Sequence, residues 1–529
     1  MYYFIPAWYG KKERPWYRES IPWYRSTQRI EFDDAIYQLR MFQGENKSTK
    51  IVLFSYMPHL RYFLHRQDIF ESDYYSIFDT IQGVTDDKEM QVLQIKDLAW
   101  PEDCEFIYTP FLVIVRRNSE LYAHIEFGEE GFISFIEFFK DEQLDKVYLM
   151  DDRGFISSIV YYEDGQATYQ DYLNMEGEWR VREQLANASY LVEVNPLYQS
   201  DFKQSSYETM LDLIVEKFTV YFSEQVEEEK KVVIAAHPIY PSSFFSLFSD
   251  QASTILSFFY ERNREDDLNL MMPMMKSADL VLTDQSDMKR DLQNLLAESK
   301  GKIHQLSPFD TRLQLGKSQR RKEAKIYYQI NLQEPLNDYA IFKVLFYIAQ
   351  HPQTELVIGV YNAWKEGIEK VEEKVAEILA EYLNREDFVK KHDKDKWAEN
   401  SLIENQTEEY RFAIKNITNE LELIQELEYT RLIIDLDSQP NLYTQIAGIS
   451  AGIPQINLIS SNYVKHKENG YILSEIADLP NGLDYYLDGL KNWNKALIYS
   501  IDKIQENVGS ELIQKWETWL EEEVHEERT

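Results

Sequence analysis

Residues Gln439–Leu473 read QPNLYTQIAGISAGIPQINLISSNYVKHKENGYIL. The apolar run Arg431–Asp435 just before them has the length and composition of a buried parallel strand. That makes Asp437–Asn441 a loop at a strand's carboxyl end, where open α/β sheets bind their ligands. Leu442–Ala451 follows as a helix of small residues, whose first amides can attract an anion. Gly452-Ile453-Pro454 stops that helix, Gln455–Ile459 is the next strand, and Asn469-Gly470-Tyr471 turns the chain into another. This alternation belongs to a doubly wound α/β domain.

The same texture extends upstream. A second α/β unit begins at Ile326, with strands Ile326–Gln329, Glu355–Gly359 and Arg431–Asp435 and a long charged helical region from Lys365 to about Asn400. Gly316–Lys325 (GKSQRRKEAK) is a polar, basic linker and the domain boundary. In the first half, Ile51–Tyr56 and Val232–Ala236 are buried strands that end at Met57-Pro58-His59 and His237-Pro238. Leu60–Phe78 and Tyr207–Tyr221 read as helices, and Ala278–Thr283 as a strand with a helix starting near Asp284–Ser286. Between about Met90 and Arg182 the texture changes to Glu105–Val115, Leu121–Phe127, Lys146–Leu149 and Phe155–Tyr162, separated by turn signals, which is an antiparallel meander set into the first domain. Leu512–Glu523 is an amphipathic helix with Trp516 and Trp519. The expected division is 1–89 and 196–316 for the first α/β domain, 90–195 for the inserted sheet, 317–500 for the second α/β domain, and 501–529 for a C-terminal helix packing back on the first.

Composition narrows the function. Across 529 residues, 44% are apolar, enough for sizeable cores in two or three domains. The 91 Asp and Glu against 56 Lys and Arg leave a net charge of −35, which repels nucleic acid and anionic membrane surfaces. Cys104 is the single cysteine, so neither an intrachain disulfide nor a cysteine-based zinc site is possible, and a reducing compartment is expected. The N-terminus does not read as a signal peptide, and the best apolar run, Tyr339–Ala349, is too short to span a bilayer. A cytoplasmic protein is expected, without direct membrane insertion. The nine His are scattered, and no metal or cofactor is expected. Gly316-Lys317-Ser318 is not a phosphate loop, because the required earlier glycine is Thr311.

The order loop, helix, Gly-x-Pro, strand, Asn-Gly turn resembles the donor half of retaining GT-B glycosyltransferases. The resemblance implies two Rossmann-like domains facing a cleft, with two glutamates eight positions apart, the second five residues before Gly452. Those positions are Gln439 and Ala447 here, so neither carboxylate is present. The family's Arg and Lys, which neutralise the diphosphate leaving group, map near Asn331 and Leu336, where the nearby charge is Glu334. His237 ends a strand of the first half where related enzymes place a sugar-touching histidine or carboxylate, and His59 occupies an analogous loop.

The segments Glu163-Asp164-Gly165-Gln166, Asp171-Tyr172-Leu173-Asn174 and Gly177-Glu178-Trp179-Arg180 resemble the β-sheet insertion of glycosyltransferases that modify serine-rich repeat adhesins. With the opening Tyr3-Phe4-Ile5-Pro6-Ala7-Trp8-Tyr9, the chain resembles the first of the three accessory secretory proteins of Gram-positive cocci. That family implies a GT-B fold without transferase chemistry. It also implies partnership with two other accessory secretory proteins and the accessory Sec ATPase and channel, and capture of N-acetylglucosamine-bearing serine-rich repeat adhesin. Any membrane attachment would be peripheral, through the translocon. Aromatic and amide groups hold neutral sugars without the cations a diphosphate needs, which makes Gln439, Asn441, Tyr443, Gln445 and His237 the candidate carbohydrate-binding residues. An active transferase and a pure assembly scaffold are the alternatives.

Overall fold

Three sheets organise the chain, two parallel and one antiparallel. The computed structural model describes residues 1–10, 14–17, 20, 33–85, 91–128, 130–186, 190–226, 229–240, 244–248, 251–264, 266–296, 301–312, 314–332, 334–361, 363, 365–390 and 409–527, with side chains omitted at 246 and beyond 522. Met90, Gln333 and the end of the expected long helix lie outside these residues. Within them that helix runs only from Lys365 to Tyr382.

The first sheet has seven parallel strands in the order Ile303–Gln305, Leu280–Thr283, Ser253–Phe258, Lys231–Ala235, Tyr2–Ile5, Thr49–Leu53 and Tyr74–Ser76. Its N-terminal strand, YYFI, is buried on both faces. Alternate side chains serve opposite cores: Tyr3 and Ile5 join Val232, Ile234 and Val281 on one side, while Tyr2 and Phe4 join Ile51, Val233 and Leu282 on the other. The expected single helix Leu60–Phe78 is instead a short helix, Leu60–Arg66, the edge strand Tyr74–Ser76, and a second helix, Ile77–Gln82.

The inserted sheet has ten antiparallel strands from Cys104–Tyr108 to Ser206–Tyr207. Residue 195 therefore does not close the insertion, because Val192–Val194 still pairs with Ser206–Tyr207. Glu105–Val115 is two strands, broken around Pro110, and Ile133–Lys140 is a further strand in the meander. A buried ionic joint ties this sheet to the first domain. The Arg61 guanidinium pairs with Asp152 and, at 3.1 Å, with Asp151. Arg153 binds Asp151 and Asp79, each at 2.7 Å. Nearby, Gln82 Nε2 donates to the Ser157 and Leu173 carbonyls at 2.8 and 2.7 Å.

The second domain carries six parallel strands in the order Phe412–Ile417, Thr354–Tyr361, Ala324–Ile330, Thr430–Asp435, Gln455–Asn457 and Gly470–Ile472. The expected linker Gly316–Lys325 is pinned rather than free. Lys317 pairs with Glu428, Arg431 donates to the Ser318 carbonyl at 2.8 Å, and the central strand already starts at Ala324. Gly452 caps helix Leu442–Ala451 at φ +70, and a Cβ there would collide with Leu497, so the Gly-x-Pro element is a folding requirement.

After the second domain the chain returns. Residue 500 is not a boundary, since helix Lys491–Glu506 runs through it. The next helix, Gly509–Glu527, lays Leu512, Ile513, Trp516 and Leu520 on the first sheet's core. The Trp516 ring meets Phe42 edge-on at 5.2 Å, and Tyr2 Oη donates to Glu517 at 2.9 Å. We expect Trp516→Ala to destabilise the first domain by about 3–5 kcal/mol, the usual cost of emptying a buried indole site. Trp519→Ala, on the less buried flank, should cost less than half of that. Guanidinium unfolding followed by far-UV circular dichroism checks both.

Candidate functional site

The carboxyl ends of the two parallel sheets face each other across a cleft of about 610 Å³. The first domain contributes Phe259, Tyr260 and Glu261 after strand Ser253–Phe258, and Asp284 and Gln285 after Leu280–Thr283. The second contributes Gln329, Asn331, Tyr361, Gln439 and Asn441. This is where strand-to-helix loops converge in doubly wound sheets, and the walls are aromatic rings and primary amides.

Side chains bridge the cleft from both domains. Gln439 Nε2 donates to Asp287 Oδ2 at 2.7 Å, and Asn441 Nδ2 donates to Glu261 Oε1 at 3.0 Å. Elsewhere between the two domains, Asn462 donates to Gln305 at 2.6 Å, and Arg40 pairs with Glu420 at 3.0 Å. Beneath them the Tyr443 ring lies 5.3 Å from Tyr37 and 5.2 Å from Phe309, both from the first domain. Asn441 also caps its own helix, accepting from Thr444 N at 2.8 Å, and its amide donates to Asp435 Oδ2 at 2.7 Å. The helix N-terminus expected to attract an anion is thus occupied by side chains of this protein.

The residues singled out from sequence do not all meet. Gln439, Asn441, Tyr443 and Asn331 line the cleft, though Tyr443 is buried in the domain contact and presents little free surface. Gln445 is buried behind the helix, where its side chain accepts from Ser461 Oγ at 3.2 Å, so it does not face the cleft. Ala447 lines a second cavity of about 290 Å³, reached past Tyr443 and Phe309, which wall both spaces, and also walled by Tyr37 and Leu315. Leu336 packs against the second domain's core. His237 lies outside the cleft lining: its Nδ1 accepts from Ile239 N at 3.2 Å and its ring sits 4.9 Å from Tyr9. Burial pushes its pKa down to about 4, which keeps it neutral. His59 is buried against Phe132 under the inserted sheet. Sequence reading missed Tyr260 and Glu261 because their strand, STILSF, was not recognised. It also passed over Asp284, although the strand before it was legible.

The cleft is acidic. Its lining holds Glu261, Asp284 and Glu366 against Arg264. Asp435 and Asp437 stand just behind, and Glu334 accepts from the Ser438 amide at 3.1 Å. Burial pushes the Asp284 carboxyl up to about 8. Burial raises Asp435, helped by the charges of Glu334 and Glu261, and burial raises Asp437, helped by the charges of Asp435 and Glu334. Glu261 is raised by burial as well. Among the described residues, no group of three or more His, Cys, Asp or Glu is arranged to hold a metal ion.

A carboxyl raised in the folded state binds its proton more tightly there than in the unfolded chain. Its contribution is complete below the unfolded value of about 4 and disappears as pH rises through the folded value. The melting temperature should therefore fall between pH 5 and pH 9. Asp284→Asn, which keeps an acceptor for the Tyr260 amide (2.8 Å in the native protein), should flatten that slope. Differential scanning fluorimetry across the range tests this, and an unchanged slope would show that Asp284 does not carry the linkage.

The sequence profile of the family described as accessory secretory protein 1 of the accessory Sec system matches residues 1–523. The accessory secretory protein 1 of Streptococcus gordonii is 62% identical over 526 residues, 99% of this chain and 100% of that protein. In the crystal structure of accessory secretory proteins 1, 2 and 3 of Streptococcus pneumoniae, one chain superposes with a TM-score of 0.82 at 41% identity, over 99% of this chain and 100% of that one. The pneumococcal O-GlcNAc transferase GtfA, solved with UDP and GlcNAc, has a TM-score of 0.70 at 14% identity, over 99% of both chains, and so shares the glycosyltransferase GT-B fold alone. With these matches spanning almost its whole length, the chain belongs to the family of the first accessory secretory protein of the accessory Sec system.

Proposed function

We propose that this protein is a non-catalytic, glycosyltransferase-like subunit of an accessory Sec export system. In this reading it works in the cytoplasm, peripheral to the membrane through the translocon. It holds serine-rich repeat adhesin bearing N-acetylglucosamine in the cleft between its α/β domains. With the two other accessory secretory proteins, it delivers that cargo to the accessory Sec ATPase and channel. The solved assembly of proteins 1, 2 and 3 in a relative supports the partnership. Among the described residues no helix is long and apolar enough to cross a membrane.

The observation that carries the non-catalytic reading is the scarcity of cations in the cleft. Glycosyl transfer from a nucleotide sugar leaves a diphosphate, and cations or oriented donors must neutralise it as the charge develops. Here Arg264 is the one cation among the described residues that line the space, beside Glu261 and Glu366, and burial keeps Asp284 largely protonated at neutral pH. Gln439 and Ala447 replace the carboxylates that would grip donor hydroxyls, and Asn331 stands near the expected place of a cation. Tyr260, Tyr361, Gln285 and Asn331 suit a neutral sugar, which needs a stacking face and amide hydrogen bonds. The bridges Gln439–Asp287 and Asn441–Glu261 favour a second reading, an assembly scaffold whose cleft is filled by its own side chains.

Calorimetric titration separates the three cases. UDP and UDP-N-acetylglucosamine should give no saturable heat, whereas a serine-rich repeat peptide carrying N-acetylglucosamine should bind and the unmodified peptide should not. Loss of a stacking ring and an amide in Tyr260→Ala/Asn331→Ala should weaken the glycopeptide about tenfold. Equal affinity for the two peptides would support the scaffold, and saturable UDP-N-acetylglucosamine binding an enzyme.

A further inference from the structure

The outer face of the second domain carries an aromatic patch that the fold buries only in part. Helix Asp338–Gln350 turns Ala340, Ile341, Val344, Leu345 and Ile348 into the core. A second stripe, at positions 339, 342 and 346, follows the helical repeat on the other side. Tyr339 is 47% exposed and Phe346 39%. The neighbouring helix Lys365–Tyr382 ends beside them, placing Tyr382, 61% exposed, 5.6 Å from Phe342, which is itself 5.7 Å from Phe346. Other exposed apolar side chains, such as Leu197, stand apart from this group. Three exposed rings gathered around the half-buried Phe342 keep a hydration cost that folding does not relieve, and such patches mark contact surfaces.

The rim says what covers them. Helix Lys365–Tyr382 bears six glutamates against three lysines. One of those lysines, Lys374, is already neutralised by Asp338 at 3.3 Å and Glu377 at 2.7 Å. The patch is thus apolar at its centre, with Lys343 lying over the Tyr339 ring and glutamate in excess along its edge, on a chain of net charge −35. We infer that this face docks an apolar-centred, lysine- and arginine-rimmed helix of another accessory secretory protein. It rests on the partnership proposed above but not on sugar binding, since the patch is separate from the cleft. Aromatic anchors supply the dwell time, and the acidic rim steers approach and makes it salt-dependent.

The full-length chain should be titrated with the co-purified accessory secretory proteins 2 and 3 of the same organism, by biolayer interferometry at two salt concentrations. Phe346→Ser/Tyr382→Ser should weaken binding at least about tenfold through faster dissociation. Glu377→Lys/Glu381→Lys should slow association and reduce its salt dependence, leaving dissociation nearly unchanged. Leu197→Ser serves as the control and should bind as the native chain does. Unchanged binding by both double variants would overturn the docking surface while leaving the partnership intact. Failure of the native chain to bind would overturn both. If self-association of the native chain is lost in Phe346→Ser/Tyr382→Ser while binding to proteins 2 and 3 persists, the face belongs to a second copy and the inference fails.

Discussion

The contact of Tyr443 with Tyr37 and Phe309 holds the rest of the architecture in place. Tyr37 lies on helix Asp34–Gly44, Phe309 follows the last strand of the first sheet, and Tyr443 sits in the first turn of a second-domain helix. Ring pairs of this kind add about 0.5–1.5 kcal/mol each beyond the area they bury. Tyr443 and Phe309 also wall both the 610 Å³ cleft and the 290 Å³ cavity behind it. Neither space has a fixed shape unless these rings stay in contact. The hydrogen bonds above them then act on surfaces already in register, which is why single amides at Gln439 and Asn441 suffice to span the gap.

Much of the α/β framework was legible because its strands are short, continuous, mostly apolar runs that include β-branched residues: Val232–Ala235, Leu280–Thr283 and Leu432–Asp435 have no competing reading as helix or turn. The N-terminal strand escaped because Tyr2–Ile5 is four residues, mostly aromatic, and its identity as a strand comes from pairing with residues near 50 and 231. Pairing at that distance leaves no local trace. Ser253–Phe258 escaped because serines at both ends mimic a loop. The inserted sheet was recognisable as a meander, yet its late strands were not, since Val192–Val194 and Ser206–Tyr207 are held by neighbours rather than by their own composition.

The site was legible in position and only partly in orientation. Counting along a motif located Gln439 and Ala447 on one loop and helix, but a helix turns 100° per residue, so its side chains diverge in space. Gln439 reaches into the cleft, Ala447 lines the cavity behind it, and Gln445 points into the domain. The place of Asn331 on the second-domain wall was readable directly. The acidic character of the opposite wall was not, because Glu261 and Asp284 come from the other half of the chain and meet the cleft only through the fold.

The ionic joint beneath the inserted sheet has a mechanical consequence. Arg61, Asp151, Asp152, Arg153 and Asp79 are all substantially buried, and each carboxylate is shared with a guanidinium from a different segment. A buried network of this type resists shear, since breaking one pair strands a charge at a cost of about 3–5 kcal/mol. The sheet beyond it is a row of ten strands. At roughly 4.8 Å between neighbours, it reaches about 40 Å from one edge to the other. Held stiffly at the turn after strand Gln143–Asp151, near the middle of the row, its outer strands project as a cantilever rather than a tethered flap. A pull at its free edge, strand Cys104–Tyr108, becomes torque on the first α/β domain instead of being lost to a swinging hinge.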